Sequence, residues 1–174
     1  MLMLTKELQQ KLNDQINLEF LSAYLYLGLA MKCEELNYRG AAQWMRQQAE
    51  EEKGHAMRLV EYLISRAAQV ELKDIPAPKA NPRTLLDVFK LALQHEEHVT
   101  ASIDKLYGLA FEQKSFSSAA ELSWFLKEQI EEEKTVRDIV RTLEMLGDDM
   151  SALLDFDSQL GSRSTGGAAS GAEK

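Results

Sequence analysis

A chain of 174 residues with 45% hydrophobic content holds enough apolar material for one domain with a substantial core. Its formal charge of -8 argues against binding to a nucleic-acid backbone and suits a protein that gathers cations. Three prolines and nine glycines, five of the latter at Gly147 and beyond, leave long uninterrupted windows for helix.

The opening residues meet a charge at Lys6, too soon for a signal peptide, and no apolar run approaches membrane-spanning length. Thr5 is read as the N-cap of a first helix, whose apolar residues recur at three- and four-residue intervals through Leu8, Leu12, Ile16, Ala23, Leu27 and Ala30. The helix is expected to end near Glu34. Cys33, the only cysteine, excludes an internal disulfide, reads as a small buried hydrophobe and fits a reducing, cytoplasmic setting. Asn37 is expected to cap a second helix that carries Trp44, Ala49, Ala56, Leu59, Leu63 and Ala67 and stops by about Ala68.

From Gln69 to Pro82 the pattern breaks, and Pro76, Pro78 and Pro82 force an extended path. A helix of ~30 residues is ~45 Å long, and ~14 extended residues span a similar distance. The segment can therefore cross the full length of a bundle and make the second and third helices parallel. Asn81-Pro82 is read as the start of the third helix, with Leu86, Phe89, Leu93, Val99, Ile103 and Leu106 on its apolar face. A Ser-rich turn around Lys114 to Ser118 allows an antiparallel return. The fourth helix is expected from Ser117 through Trp124, Phe125, Val136, Ile139 and Leu143 to a C-cap at Gly147. Asp148 or Asp149 caps a short fifth helix over Met150 to Leu160, whose Leu153, Leu154, Phe156 and Leu160 need a further surface to cover them. On this reading residues 1–160 form the domain, and the Gly/Ser/Ala-rich residues 161–174 form a disordered tail.

The two halves echo each other. A shift of 77 positions carries Glu19, Glu52 and His55 onto Glu96, Gln129 and Glu132, and the apolar Leu12, Ile16, Leu59 and Tyr62 onto Phe89, Leu93, Val136 and Ile139. A doubled helical hairpin follows. Glu19, Glu52, Glu96 and Glu132 then fall near the middle of four different helices, at one height, each flanked by apolar residues that point inward. Carboxylates buried together without partners would each cost several kcal/mol and would take up protons. Two divalent cations remove that difficulty, because four carboxylate charges balance two doubly positive ions. Glu52 and His55, three apart, share a helix face and can grip one ion together, while Gln129 and Glu132 approach from the fourth helix. Carboxylate oxygens with one imidazole nitrogen suit iron or manganese, and the lack of thiolates argues against structural zinc.

The residues Asn17-Leu18-Glu19, Ala49 to His55, His95-Glu96 and Trp124 to Lys134 resemble those of the non-haem bacterial ferritins, and the resemblance covers everything before the tail. It implies an all-α, ferritin-like four-helix bundle with a long crossover between helices two and three and a short fifth C-terminal helix. It further implies Glu19, Glu52 and His55 at a first ferroxidase iron, Glu52 bridging to a second iron held by Glu96 and Glu132, and Gln129 beside the oxygen-binding space. Tyr26, two turns beyond Glu19, matches a tyrosine that donates an electron, and Glu51, Glu128 and Glu131 match an additional iron site. Members of the family form hollow shells of two dozen subunits, oxidise Fe(II) with O2 or H2O2, and store ferric oxyhydroxide. Two adjacent Fe(II) ions suit that chemistry, since reduction of O2 to peroxide takes one electron from each.

Haem-containing relatives place a methionine directly after the bridging glutamate, where this chain has Lys53, so no haem is expected. They also repeat Glu-x-x-His in the fourth helix. Here Gln129-x-x-Glu132 stands in that place, so the second iron lacks a histidine and is expected to bind more weakly.

Plainer readings compete. Glu50, Glu131 and Glu133 taken singly read as a solvated helix face, and Trp124 as a core aromatic. Met31, Met45 and Met57 read as packing residues, and His95 and His98 as surface residues or neighbours of the ligands. Among functions, a di-iron oxidase or peroxidase with a separate substrate would need a substrate channel or an electron-transfer centre, and no rubredoxin-like cysteine pairs occur. A DNA-protecting mini-ferritin would build its site between subunits and lack the fifth helix. A metal-free bundle would not accelerate Fe(II) oxidation.

Overall fold

The computed structural model describes residues 4–79 and 81–162, which form five helices: α1 (Lys6–Glu35), α2 (Arg39–Ser65), α3 (Leu85–Glu112), α4 (Phe116–Leu146) and α5 (Met150–Gly161). Of the expected disordered tail, 161–174, Gly161 instead ends α5 and Ser162 stands at its C-cap, and the residues from 163 onward lie outside the described ones. No described helix is long and apolar enough to cross a membrane.

Helix ends are set by local chemistry. Thr5 is extended and its hydroxyl accepts from the Leu8 amide, which starts α1 as expected. Asn37, however, does not cap α2. It adopts a φ of 63°, its amide donates to the Glu34 carbonyl, and the Tyr38 amide donates to the Cys33 carbonyl, so Asn37 closes α1. Tyr38 then stands at the α2 N-cap with no side-chain bond of its own. A distant residue replaces it: the Asp157 carboxylate on α5 accepts from the Gly40 and Ala41 amides at 3.0 and 2.7 Å.

The same left-handed closure ends α2 at Ser65, inside the bound expected at Ala68, with Ala67 at a φ of 52°, and ends α3 with Lys114 at 54°. Nor does α3 begin at Pro82. Thr84 and Asp87 form a reciprocal capping box that starts it at Leu85, each backbone amide donating to the other's side chain. Asp149, rather than Asp148, caps α5 through the Ser151 and Ala152 amides.

The crossover follows α1. Asn13 donates to the Gln69 carbonyl at 3.0 Å and accepts from the Glu71 amide at 2.7 Å. Asn17 donates to the Glu71 carbonyl at 2.8 Å and accepts from the Lys73 amide at 2.7 Å. Further along, the Pro78 ring lies against Gly28, where a Cβ would meet it at 3.2 Å. The segment thus travels beside α1 in its own direction and delivers α3 parallel to α2, as the crossover length requires.

Two apolar clusters make the core. One joins the end of α1, the starts of α2 and α3 and the end of α4 around Tyr26, Trp44, Phe89 and Leu143. The other joins the opposite halves around Leu12, Leu59, Ile103 and Phe125. Between them lies a buried polar layer.

Helix α5 covers the first cluster with Leu153, Phe156 and Leu160, so three of its four expected apolar residues find their surface within the same chain. Leu154 remains 51% exposed. Close approach of Gly40 and Gly161 permits this packing, since a Cβ on Gly40 would stand 1.7 Å from the Asp157 carbonyl oxygen. Leu27, expected inside, is exposed instead: with Tyr24 and Met31 it forms an outward apolar stripe on α1. Of the three methionines assigned to packing, Met45 is buried, whereas Met31 and Met57 are a little under half exposed.

Candidate metal centre

The polar layer draws one residue or more from each long helix. Glu19 on α1, Glu52 and His55 on α2, Glu96 on α3 and Gln129 on α4 are all buried, and the Glu132 side chain on α4 keeps 12% of its exposure. Each occupies a core-facing position between the two apolar clusters, which is why helices amphipathic along their length turn acidic groups inward here. Ligand atoms of Glu19, Glu52 and His55 lie within 4.8 Å of one another, and so do those of Glu52, Glu96 and Glu132. Glu52 belongs to both triads.

Several atoms there have nothing to bond. Glu19 Oε2, Glu52 Oε2, His55 Nδ1 and Glu132 Oε2 are buried without a hydrogen-bond partner, and His55 Nδ1 stands 3.5 Å from Glu52 Oε2. His55 Nε2 lies 3.8 Å from Glu132 Oε1. Unpaired buried polar atoms are rare, and a cluster converging on common points is the arrangement that oxygen-and-imidazole metal sites require. The residues present fit a pair of divalent ions.

Electrostatics agree with the geometry. Burial, and then the Glu52 charge, push the Glu19 carboxyl well above its usual range. Glu52 is raised to about 8 by burial and by Glu96. Burial likewise raises Glu96, and burial with Glu52 and Glu96 raises Glu132. Burial and mutual repulsion thus favour the protonated carboxyls, and a doubly charged ion beside them would favour the charged form instead.

The remaining side chains fall into three groups. Gln129 donates to Glu96 Oε2 at 3.1 Å, and the Tyr26 hydroxyl, fully buried, donates to Glu96 Oε1. Burial and the neighbouring Glu96 push the Tyr26 phenol well up. Glu51, Glu128 and Glu131 line a groove of about 800 Å³ between α2 and α4 that also reaches His55 and Glu132. They form no close ligand triad among the described residues, though burial and the charges of Glu131 and Glu51 raise Glu128. His95 bonds to the Ser22 hydroxyl at 2.7 Å, and His98 is exposed.

Four neighbours escaped the sequence reading. Trp124, read there as core, does pack at half-burial against the second apolar cluster, and it also lies edge-on to His55 with ring centres 5.4 Å apart. Arg58 lies 4.1 Å over the Trp124 ring and pairs with Glu121 at 2.5 Å. Gln15 donates to Glu19 Oε1 at 2.7 Å, and Gln48 donates to both Glu52 Oε1 and Glu132 Oε1 at 3.2 Å. A signal for the glutamines did exist: each precedes a candidate ligand by four residues, one helical turn.

A family profile for the ferritin-like domain matches residues 9–146. The bacterial non-heme ferritin of Staphylococcus haemolyticus is 37% identical over 162 residues, covering 93% of this chain and 98% of that protein. That of Staphylococcus aureus is 36% identical over 161 residues, covering 92% and 97%. Among solved structures, an open pore ferritin from Archaeoglobus fulgidus superposes with a TM-score of 0.92 at 35% identity, covering 94% of this chain and all of that one. A closed form of the Archaeoglobus ferritin, engineered by site-directed mutagenesis, gives 0.91 at 35% identity over 92% and 98%. Matched over most of its length in sequence and in shape, the chain belongs to the ferritin family.

Proposed function

We propose that the buried layer is a ferroxidase centre and that the protein is an iron-storage ferritin. Fe(II) is the substrate. One ion binds among Glu19, Glu52 and His55 and a second among Glu52, Glu96 and Glu132, with Glu52 shared. The single observation that carries this reading is that four buried atoms without hydrogen-bond partners, Glu19 Oε2, Glu52 Oε2, His55 Nδ1 and Glu132 Oε2, all belong to residues of the two triads that share Glu52. The net reaction with oxygen consumes two Fe(II), one O2 and two protons and yields two Fe(III) and one H2O2; H2O2 can itself serve as oxidant. Tyr26, whose hydroxyl bonds to Glu96, is read as an electron donor to the oxidant when fewer than two Fe(II) are bound. Glu51, Glu128 and Glu131 line the adjoining groove and are read as an additional iron site beside the centre.

The storage half of the reading requires a shell, proposed as two dozen copies in the cytoplasm. Exposed Tyr24, Leu27 and Met31 on α1 and Leu72 and Ile75 on the crossover supply apolar surface for copies of the chain to cover. Size-exclusion chromatography with light scattering, then stopped-flow absorbance with two Fe(II) per subunit in air, tests both halves. A large hollow particle with rapid ferric formation is expected. A monomer, or oxidation at the uncatalysed rate, contradicts the corresponding half.

A further inference from the structure

Three neutral amides hold carboxylates of the centre: Gln129 bonds to Glu96, and Gln15 and Gln48 divide the others between them. Gln15 touches Glu19 alone among the candidate ligands. Its orientation is fixed from across the bundle, because Ser102 on α3 donates to Gln15 Oε1 at 2.6 Å and so turns Nε2 toward Glu19. Gln48, also buried, places its two N–H donors between carboxylates of different helices, Glu52 on α2 and Glu132 on α4. It takes Glu52 by Oε1, whereas the other oxygen of Glu52 faces His55.

The chemistry of that placement is specific. Glu52 and Glu132 repel each other when charged, and each raises the other's demand for a proton or a cation. A donor group shared between them draws both oxygens toward one point while leaving each a second lone pair for an ion. The second triad needs that help more than the first, since it contains three carboxylates and no imidazole.

We propose that Gln48 and Gln15 are positioning residues with separate targets: Gln48 sets the affinity of the Glu52/Glu96/Glu132 position, and Gln15 that of the Glu19/Glu52/His55 position. The proposal rests on the metal-centre reading above. Removing such an outer partner costs ~10–100-fold in metal affinity.

The test is a calorimetric titration of the assembled, metal-free protein with Co(II), with the visible absorption of the bound ion reporting each step. Wild type is expected to take two ions per subunit in two steps. Gln48→Met should raise the dissociation constant of the weaker step ~10-fold and leave the tighter one within about twofold. Gln15→Met should do the reverse. Thermal melts and particle size establish that each variant is folded and assembled, and Gln48→Leu and Gln15→Leu replace any that is not. Equal weakening of both steps by either variant, as general loosening of the bundle would give, overturns the proposal, and so does no change in either. Failure of wild type to bind Co(II) at all removes the metal-centre reading itself, a result that binding by wild type with indifferent glutamine variants would not give.

Discussion

His55 Nδ1 and Glu52 Oε2 face each other across 3.5 Å on one side of α2, and neither has a hydrogen-bond partner. Two buried polar atoms so close, each lacking a hydrogen bond, are poised for something between them. Their spacing of three residues puts both on the core side of one helix, and the second oxygen of Glu52 reaches toward Glu132 through Gln48.

Glu52 therefore carries the largest effect in any variant series. Glu52→Gln should slow the initial rate of Fe(II) oxidation by more than the ~10–100-fold that loss of an outer partner costs. The same change removes a buried charge from the metal-free protein, so its melting temperature at pH 8 should hold or rise. A variant that oxidises iron at the wild-type rate would remove Glu52 from the centre.

The two positions should fill unequally. Crystals or solutions given less than one Fe(II) per subunit without oxygen are expected to load the Glu19/Glu52/His55 position first, because it alone has the imidazole. Mössbauer spectra of a limiting 57Fe(II) titration would show one ferrous species before a second. Equal filling from the outset would contradict the ranking.

Metal-free protein should lose stability as pH rises. Glu52 is held at about 8 against an ordinary value of 4.5, and Glu19, Glu96 and Glu132 are also raised. Between those limits the folded protein holds more protons than the unfolded chain. The stabilising contribution is complete below about pH 4.5 and is lost as pH climbs through about 8. Denaturant midpoints should fall across that window from this source, and saturating Co(II) should flatten the slope. A midpoint from the site that rises with pH would contradict the account.

The α2–α5 contact offers a structural prediction. Asp157→Ala removes both acceptors from the start of α2 and should cost about 1–2 kcal/mol. Gly40→Ala is more severe, because the added Cβ would meet the Asp157 carbonyl oxygen at 1.7 Å and α5 has to move away. Hydrogen exchange should show faster opening of α5 in both variants while the centre still binds metal. Unaltered α5 protection in Gly40→Ala would refute the contact.

How much of this was legible in the sequence follows from which interactions are local. Glu19, Glu52, Glu96 and Glu132 stood out because charge inside an apolar 3.6-residue stripe breaks a regular pattern, and the 77-residue echo aligned them. Long helices and the proline-marked crossover were equally plain. Some helix ends were not, because Asn37 and Ala67 close helices in a left-handed conformation usually taken by glycine, whereas the ends at Thr5 and Gly147 carry recognised capping residues. The Thr84-x-x-Asp87 box was a readable signal overshadowed by Asn81-Pro82. Asp157 could not be foreseen at the start of α2, since more than a hundred residues separate donor from acceptor. Leu27 misled because α1 is apolar on two faces, one for the bundle and one turned outward with Tyr24 and Met31.

The central claim is that a pair of ions shares Glu52 inside each subunit. Anomalous diffraction at the iron edge, on crystals soaked in Fe(II) under nitrogen, measures it directly. The account predicts two peaks per subunit roughly 3.5–4 Å apart, one on Glu19, Glu52 and His55 and the other on Glu52, Glu96 and Glu132. Iron found only on exposed acids, with the buried layer empty at saturating Fe(II), would contradict it.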